Sequence, residues 1–163
     1  MPEEKYEKIT LVLIAIFGLS ACGTSLKSKK EFSPIAGEKF AYQITSKVTL
    51  PDNAMSIFRT RLDSQLAASG KSMPAGSKGV SQVSITITTY EMRHGAARAL
   101  LGIFAGKDSM ISIVDVKDPN TNEIKNSFEV ESFNISALGT SKGMIEDQAD
   151  QIISTLTGVP IKQ

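Results

Sequence analysis

The stretch that decides the fold reads Val80-Ser-Gln-Val-Ser-Ile-Thr-Ile-Thr-Thr-Tyr-Glu-Met92. Its apolar side chains at Val83, Ile85 and Ile87 alternate with a second set formed by Ser84, Thr86, Thr88 and Tyr90. This period of two places the two sets on opposite faces of an extended chain, and the many β-branched residues favour a strand. We therefore expect a sheet with one buried apolar face and one face rich in Ser and Thr.

Two further strands follow this one, and another precedes it. Residues 110–117 and 124–135 flank the turn sequence Asp118-Pro-Asn-Thr-Asn122. A five-residue connection can join only antiparallel strands, so this pair is predicted to form a hairpin. Earlier in the chain, apolar and polar residues alternate from Phe40 until Pro51 interrupts them, which predicts the first strand.

Two segments have the spacing of amphipathic helices. The first follows Pro51, with Asp52 or Asn53 as its cap and Gly70 at its end; its apolar residues are Ile57, Phe58, Leu62 and Leu66. Arg59, Arg61 and Asp63 are expected to face water. The second follows Gly139 and ends before Gly158; its apolar residues are Ile145, Ala149, Ile152, Ile153 and Leu156.

The order of these elements is strand, helix, three strands, helix. It predicts an α+β fold in which a mainly antiparallel four-stranded sheet carries two helices on one face. Residues 39–163 are expected to form this domain, and residues 22–38, which are rich in Ser, Lys and Gly, a flexible tether in front of it.

The N-terminal segment is predicted to be a secretory signal peptide. Lys5 and Lys8 precede the apolar run of residues 9–17, which is too short to span a bilayer core of roughly 30 Å. As an alternative, this run could be a buried element and Cys22 a core thiol. Because Cys22 is the only cysteine, no intramolecular disulfide can explain its presence in an exported protein.

Leu19-Ser20-Ala21-Cys22 resembles the lipobox of bacterial lipoproteins. The resemblance implies that residues 1–21 are removed and that Cys22 becomes an acylated first residue, anchored in a membrane. Gly23, rather than aspartate, follows the cysteine, which in a Gram-negative bacterium implies the periplasmic face of the outer membrane. A Gram-positive source would imply the plasma membrane.

Composition argues against several function classes. Residues 1–21 hold two of the 18 Lys and Arg and three of the 17 Asp and Glu, so the remaining 142 residues carry 16 basic and 14 acidic side chains. This balance gives no electrostatic basis for binding nucleic acid. With one His and one Cys in the chain, the ligands of a structural zinc site are lacking, and we expect neither a metal nor a cofactor.

One motif raises the alternative of an enzyme. Gly139-Thr-Ser141-Lys-Gly143 matches the Gly-x-Ser-x-Gly pattern of serine hydrolases. The only histidine, His94, precedes Ser141, whereas hydrolases of that fold place it afterwards. We therefore interpret this segment as a helix start and expect no enzyme, with a serine hydrolase using Ser141 as the remote alternative.

The segment between the second and third predicted strands, residues 93–107, combines apolar, basic and glycine residues. Its candidate partner-binding residues are Arg98, Leu100, Leu101, Ile103 and Phe104. The segment could face a partner or a membrane, pack over the edge of the sheet, or gate a pocket for a small ligand or lipid.

The same segment resembles a family of small bacterial lipoproteins known as a domain of unknown function. The resemblance rests on Arg98-Ala-Leu-Leu-Gly-Ile-Phe-Ala-Gly-Lys107 and on the Asp-x-x-Thr-x-Glu-Ile pattern of residues 118–124. It covers about residues 40–156, and Asn122 stands where the family has glycine in the turn. The resemblance implies no activity and no catalytic residues.

These observations predict a lipid-anchored protein of the bacterial cell envelope. Its expected role is non-enzymatic binding of another envelope protein. The lipid on Cys22 is expected to anchor the protein in the membrane. A domain that binds a small ligand or a lipid is the alternative.

Overall fold

A computed structural model describes residues 22–28, 35, 37–92, 107–134 and 141–161 of the chain. The strands are β1 (Cys22–Ser28), β2 (Phe40–Ser46), β3 (Ser81–Glu91), β4 (Asp108–Lys117) and β5 (Ile124–Asn134). The helices are α1 (Asp52–Ala68) and α2 (Ser141–Thr157). Neither described helix combines the length and apolar character that a membrane span needs.

The α+β architecture with two helices is confirmed, but the predicted sheet is partly wrong. The five strands lie in the order β1-β5-β4-β3-β2. The additional strand, β1, comes from the segment that we expected to be a tether, and it pairs antiparallel with β5 along its whole length. Its sequence, Cys-Gly-Thr-Ser-Leu-Lys-Ser, shows no apolar alternation, so periodicity does not identify it as a strand.

The sheet is mixed rather than purely antiparallel. β2 and β3 run parallel, whereas β3–β4 and the predicted hairpin β4–β5 are antiparallel. Residues 47–80 contain α1 and form the long crossover that a parallel pair requires. The short turn before β5 therefore predicts that β4 and β5 are antiparallel, but it does not predict the relative direction of β2 and β3.

A shift in register changes the face of β3 on which Tyr90 lies. Ile87 pairs with Ser112 and Thr89 with the preceding residue of β4, so Thr88 has no partner in the ladder. After this bulge Tyr90 lies opposite buried Met110 and packs against the core, where burial raises the pKa of its hydroxyl. The expectation that Tyr90 shares a face with Ser84 and Thr86 is therefore wrong.

One apolar cluster joins both helices to one face of the sheet. The predicted inward residues of β3 and of the two helices are buried in it, except for Ile57, which is half-buried. The largest buried side chains of the cluster include Phe40, Phe58 and Phe128. Truncation of such a fully buried aromatic residue typically costs about 3–5 kcal/mol, so this cluster is what fixes the position of the sheet under the helices.

The β4–β5 turn is organised by the Asp118 carboxylate. This group accepts hydrogen bonds from the backbone N–H groups of Asn120 (2.8 Å) and Thr121 (3.1 Å), which hold the pKa of Asp118 below its usual range. Asn122 has φ of 59°, a left-handed conformation that asparagine tolerates better than most residues.

Candidate functional site

Cys22 lies at one end of the sheet. It pairs with Asn134, the last residue of β5, and Asn134 pairs in turn with Asp108, the first residue of β4. The last residue of β3, Glu91, lies opposite Ser109 in the next row. We call this edge of the domain the Cys22 end; the β4–β5 turn marks the opposite end.

Side chains as well as backbone fasten β1 to β5. The hydroxyls of Thr24 and Ser132 are 2.9 Å apart, and Lys27 Nζ lies 3.4 Å from a carboxylate oxygen of Glu129. The ring of Phe133 lies across Gly23 so closely that a Cβ atom at that position would be 2.6 Å from the ring Cζ. Glycine after the cysteine therefore has a local packing reason, in addition to any role in sorting.

Glu131 links β1 to the start of β4. Its carboxylate oxygens lie 2.7 Å from Lys107 Nζ and 3.6 Å from Lys27 Nζ. Lys107 also lies over the Phe133 ring, 5.4 Å from the ring centroid. The hydrogen bond from Lys107 is the main cause that lowers the pKa of Glu131 below 4.5, with the charge of Lys27 as a smaller cause.

The lowered pKa of Glu131 predicts a pH dependence of stability. Because the folded state favours the carboxylate, its contribution is fully present above the unfolded pKa of 4.5 and is lost as pH falls through the folded value. We expect Glu131→Gln to cost a few tenths of a kcal/mol at neutral pH, because Lys107 and Lys27 are 50% and 64% exposed and water screens both ion pairs.

Urea denaturation of wild type and Glu131→Gln at neutral pH and at pH about 3 tests this expectation. The difference between the two proteins should shrink at the lower pH. A difference that grows with acidification would contradict the assignment of the low pKa to this carboxylate.

The face of the sheet away from the helices is polar, as the alternation of β3 predicts. Gln43 and Ser84 are joined at 3.1 Å, Thr45 and Thr86 at 3.2 Å, and Asp115 and Ser127 at 2.6 Å. The half-buried Ile111 and Ile113 lie among these residues on β4. This face offers hydroxyls, amides and carboxylates to whatever contacts it.

Several predicted site residues lie outside the described residues. They are His94 and the candidate partner-binding residues Arg98, Leu100, Leu101, Ile103 and Phe104. The described residues on either side of them, Met92 and Lys107, lie at the Cys22 end. Ser141 is described and begins α2, which agrees with its interpretation as a helix start.

The structure assembles a polar cluster that the sequence does not reveal. Lys125 pairs with the Glu38 carboxylate, and its Nζ lies 2.9 Å from Ser81 Oγ, which also donates to Glu38. Lys125 lies at the shift in register of β5, between the residues that pair with Val116 and Lys117. The residues of this cluster come from three different segments, so no local sequence motif predicts it.

A Ser–Lys pair can act as a nucleophile and base, but the geometry of this cluster opposes that use. Ser81 is 1% exposed, so a substrate carbonyl has no path to its hydroxyl. The Lys125 side chain is also occupied by its ion pair with the Glu38 carboxylate. We interpret the cluster as the structural tie of residue 38 to β3 and β5.

Arg59 and Asp63 are exposed, as expected, whereas the expectation for Arg61 is wrong in part, because its side chain is 32% exposed and pairs with α2. Arg61 donates two hydrogen bonds to Asp150 of α2, at 2.7 and 2.6 Å. Asp63 accepts a hydrogen bond from the Tyr42 hydroxyl, and burial together with this bond raises the pKa of Tyr42. Both contacts connect α1 to other elements, so the helical spacing of residues in α1 cannot predict them.

The opposite end of the domain carries a polar cleft of about 640 Å³. It is lined by residues 76–80, Gln82 and the turn residues Asp118, Pro119, Asn120 and Asn122. Within the described ranges, no three His, Cys, Asp or Glu side chains come together as metal ligands would. The cleft therefore offers a lysine, a carboxylate and amides without a preformed metal site.

Comparison with known proteins gives a likeness of fold. No protein-family model and no curated protein matches the sequence. A PelC dodecamer from Paraburkholderia phytofirmans is 13% identical with a TM-score of 0.58, covering 86% of this chain and 100% of PelC. A point variant of that dodecamer is 14% identical with a TM-score of 0.59, covering 83% of this chain and 98% of the variant. The chain thus shares its architecture with PelC.

Proposed function

We propose that the chain is a bacterial envelope protein anchored by lipid on Cys22, which binds another envelope protein and catalyses no reaction. The lipobox-like Leu19-Ser20-Ala21-Cys22 and the apolar run of residues 9–17, which follows Lys5 and Lys8, support the anchor. In a Gram-negative bacterium, Gly23 favours the periplasmic face of the outer membrane. The balanced charge of the chain fits a protein partner better than nucleic acid.

The observation that carries the binding role is the outer edge of β1. Within the described part of the chain, β1 pairs only with β5, and no strand covers its other side. Such an edge can accept a strand from a partner, with main-chain hydrogen bonds supplying affinity. Leu26, which is 44% exposed, adds an apolar side chain at this edge, whereas Lys27 would discourage unspecific pairing.

A second copy of this chain is the first partner to consider. Proteins that share the fold, the two PelC structures, are dodecamers. A heterologous contact that repeats around a ring would use β1 of one copy and a different surface of the next. Self-assembly and binding of an unlike envelope protein make different predictions for the mass of a crosslinked product.

Site-specific photocrosslinking tests the proposal. A benzophenone amino acid would replace Leu26 on β1 or, as the matched control, exposed Ser64 on α1, in the full chain expressed in a bacterium. We expect an adduct of defined mass from position 26 and none from position 64. The proposal is contradicted if neither position, or both equally, yield adducts while the protein is present in the envelope.

A further inference from the structure

The position of Cys22 in the sheet has a consequence for how the domain meets a bilayer. We infer that the Cys22 end is the surface that contacts lipid headgroups, so that the strands stand upright and the polar cleft points away from the membrane. This inference rests on the proposed acylation of Cys22 and adds the orientation of the domain and the surface that binds lipid.

No spacer lies between the proposed anchor and the sheet. The residue proposed to carry the lipid is also the first residue of β1, and it is already paired with Asn134. A domain on a flexible linker of n residues would sample many orientations, because the reach of such a linker grows with n. Here no residue separates the anchor from the sheet, so the glyceryl group holds the end of the sheet at the bilayer surface.

β1 is held to β5 by contacts along its whole length. All seven residues from Cys22 to Ser28 have partners in β5, and Lys27 adds ion pairs with Glu129 and Glu131. The close contact of Phe133 with Gly23 packs the residue next to the anchor against the sheet. Movement of the anchor relative to the domain would therefore require breaking this pairing.

The Cys22 end and the β4–β5 turn lie far apart along the strands. In β4, eight residue-to-residue steps separate Ser109, beside the Cys22 end, from Lys117, beside the turn. At roughly 3.4 Å per residue, this places the turn about 27 Å farther along the strands. The cleft lined by residues 76–80 and by that turn is thus presented to the aqueous compartment, where a periplasmic partner can reach it.

Tryptophan fluorescence can measure this orientation, because the chain contains no Trp. Two exposed positions serve as matched sites: Glu91→Trp reports on the Cys22 end and Asn120→Trp on the turn. Each full-length variant would be expressed in a bacterium, purified, checked by mass for acylation and placed in phosphatidylcholine bilayers. A fraction of the lipid would carry a nitroxide on its headgroup, which quenches only nearby tryptophan.

We expect several-fold stronger quenching for Glu91→Trp than for Asn120→Trp, with both variants unfolding like the wild type. Equal quenching of two acylated variants, or stronger quenching for Asn120→Trp, would overturn the orientation while leaving the anchor intact. A chain that retains residues 1–21 and carries no acyl group would instead refute the proposed anchor, and the orientation with it. The mass measurement separates these two failures.

Discussion

Replacing Arg61 with alanine is expected to lower the free energy of unfolding by about 2–3 kcal/mol. The change leaves the carboxylate of Asp150, which is 9% exposed, without the two hydrogen bonds that it accepts from the guanidinium. Because so little of the Asp150 side chain is exposed, water can replace few of the hydrogen bonds that are lost. The estimate lies below the range for fully buried pairs because Arg61 is itself 32% exposed.

Urea denaturation measures this effect, and Arg59→Ala is the matched control. Arg59 is exposed on the same helix, so its replacement should change the unfolding free energy by no more than about 0.5 kcal/mol. The double variant Arg61→Ala/Asp150→Ala should be less destabilised than the sum of the single variants, because no charge remains unpaired. Equal losses for Arg59→Ala and Arg61→Ala would contradict the importance of the ion pair between the helices.

The parts of the fold that the sequence predicts are those with a strong local period. β3 alternates over Val83, Ile85 and Ile87, and each of these residues is buried. The helices likewise bury the apolar residues that recur every three or four positions, such as Phe58 and Leu62. In these segments the position of a residue in the repeat determines which side faces the core.

Features that depend on contacts between distant residues escape this reasoning. β1 has no apolar repeat, so only its pairing with β5 identifies it as a strand. The bulge at Thr88 turns Tyr90 inward, although the sequence alternates without a break. Arg61 and Asp150 are 89 positions apart, and each alone has the appearance of a surface charge on a helix.

In the candidate site, too, local sequence motifs can be predicted and contacts between distant residues cannot. The motif ending in Cys22 is local and can be identified from four consecutive residues. Its place at the end of the sheet was not predicted, because a segment rich in Ser, Lys and Gly is typical of a linker. Because β1 begins at Cys22, no spacer would follow the proposed anchor, and this is the basis for the proposed orientation of the domain.

The largest effect that we expect comes from Cys22→Ser, which should transfer the protein from the membrane fraction to the soluble fraction. A lipoprotein anchor carries two or three acyl chains, and each buried methylene group contributes about 0.8 kcal/mol to membrane binding. Serine provides no thiol for the thioether, so the whole of this contribution disappears. Ser25→Ala, a small change three residues later on the same strand, should leave the distribution unchanged.

The mass of the mature wild-type chain, purified from bacterial membranes, is the most direct test of the anchor. We predict a chain that begins at Cys22, lacks residues 1–21 and is heavier than its 142 residues by a diacylglyceryl group, with or without a further acyl chain. An intact chain of 163 residues with an unmodified Cys22 thiol would contradict the lipid anchor.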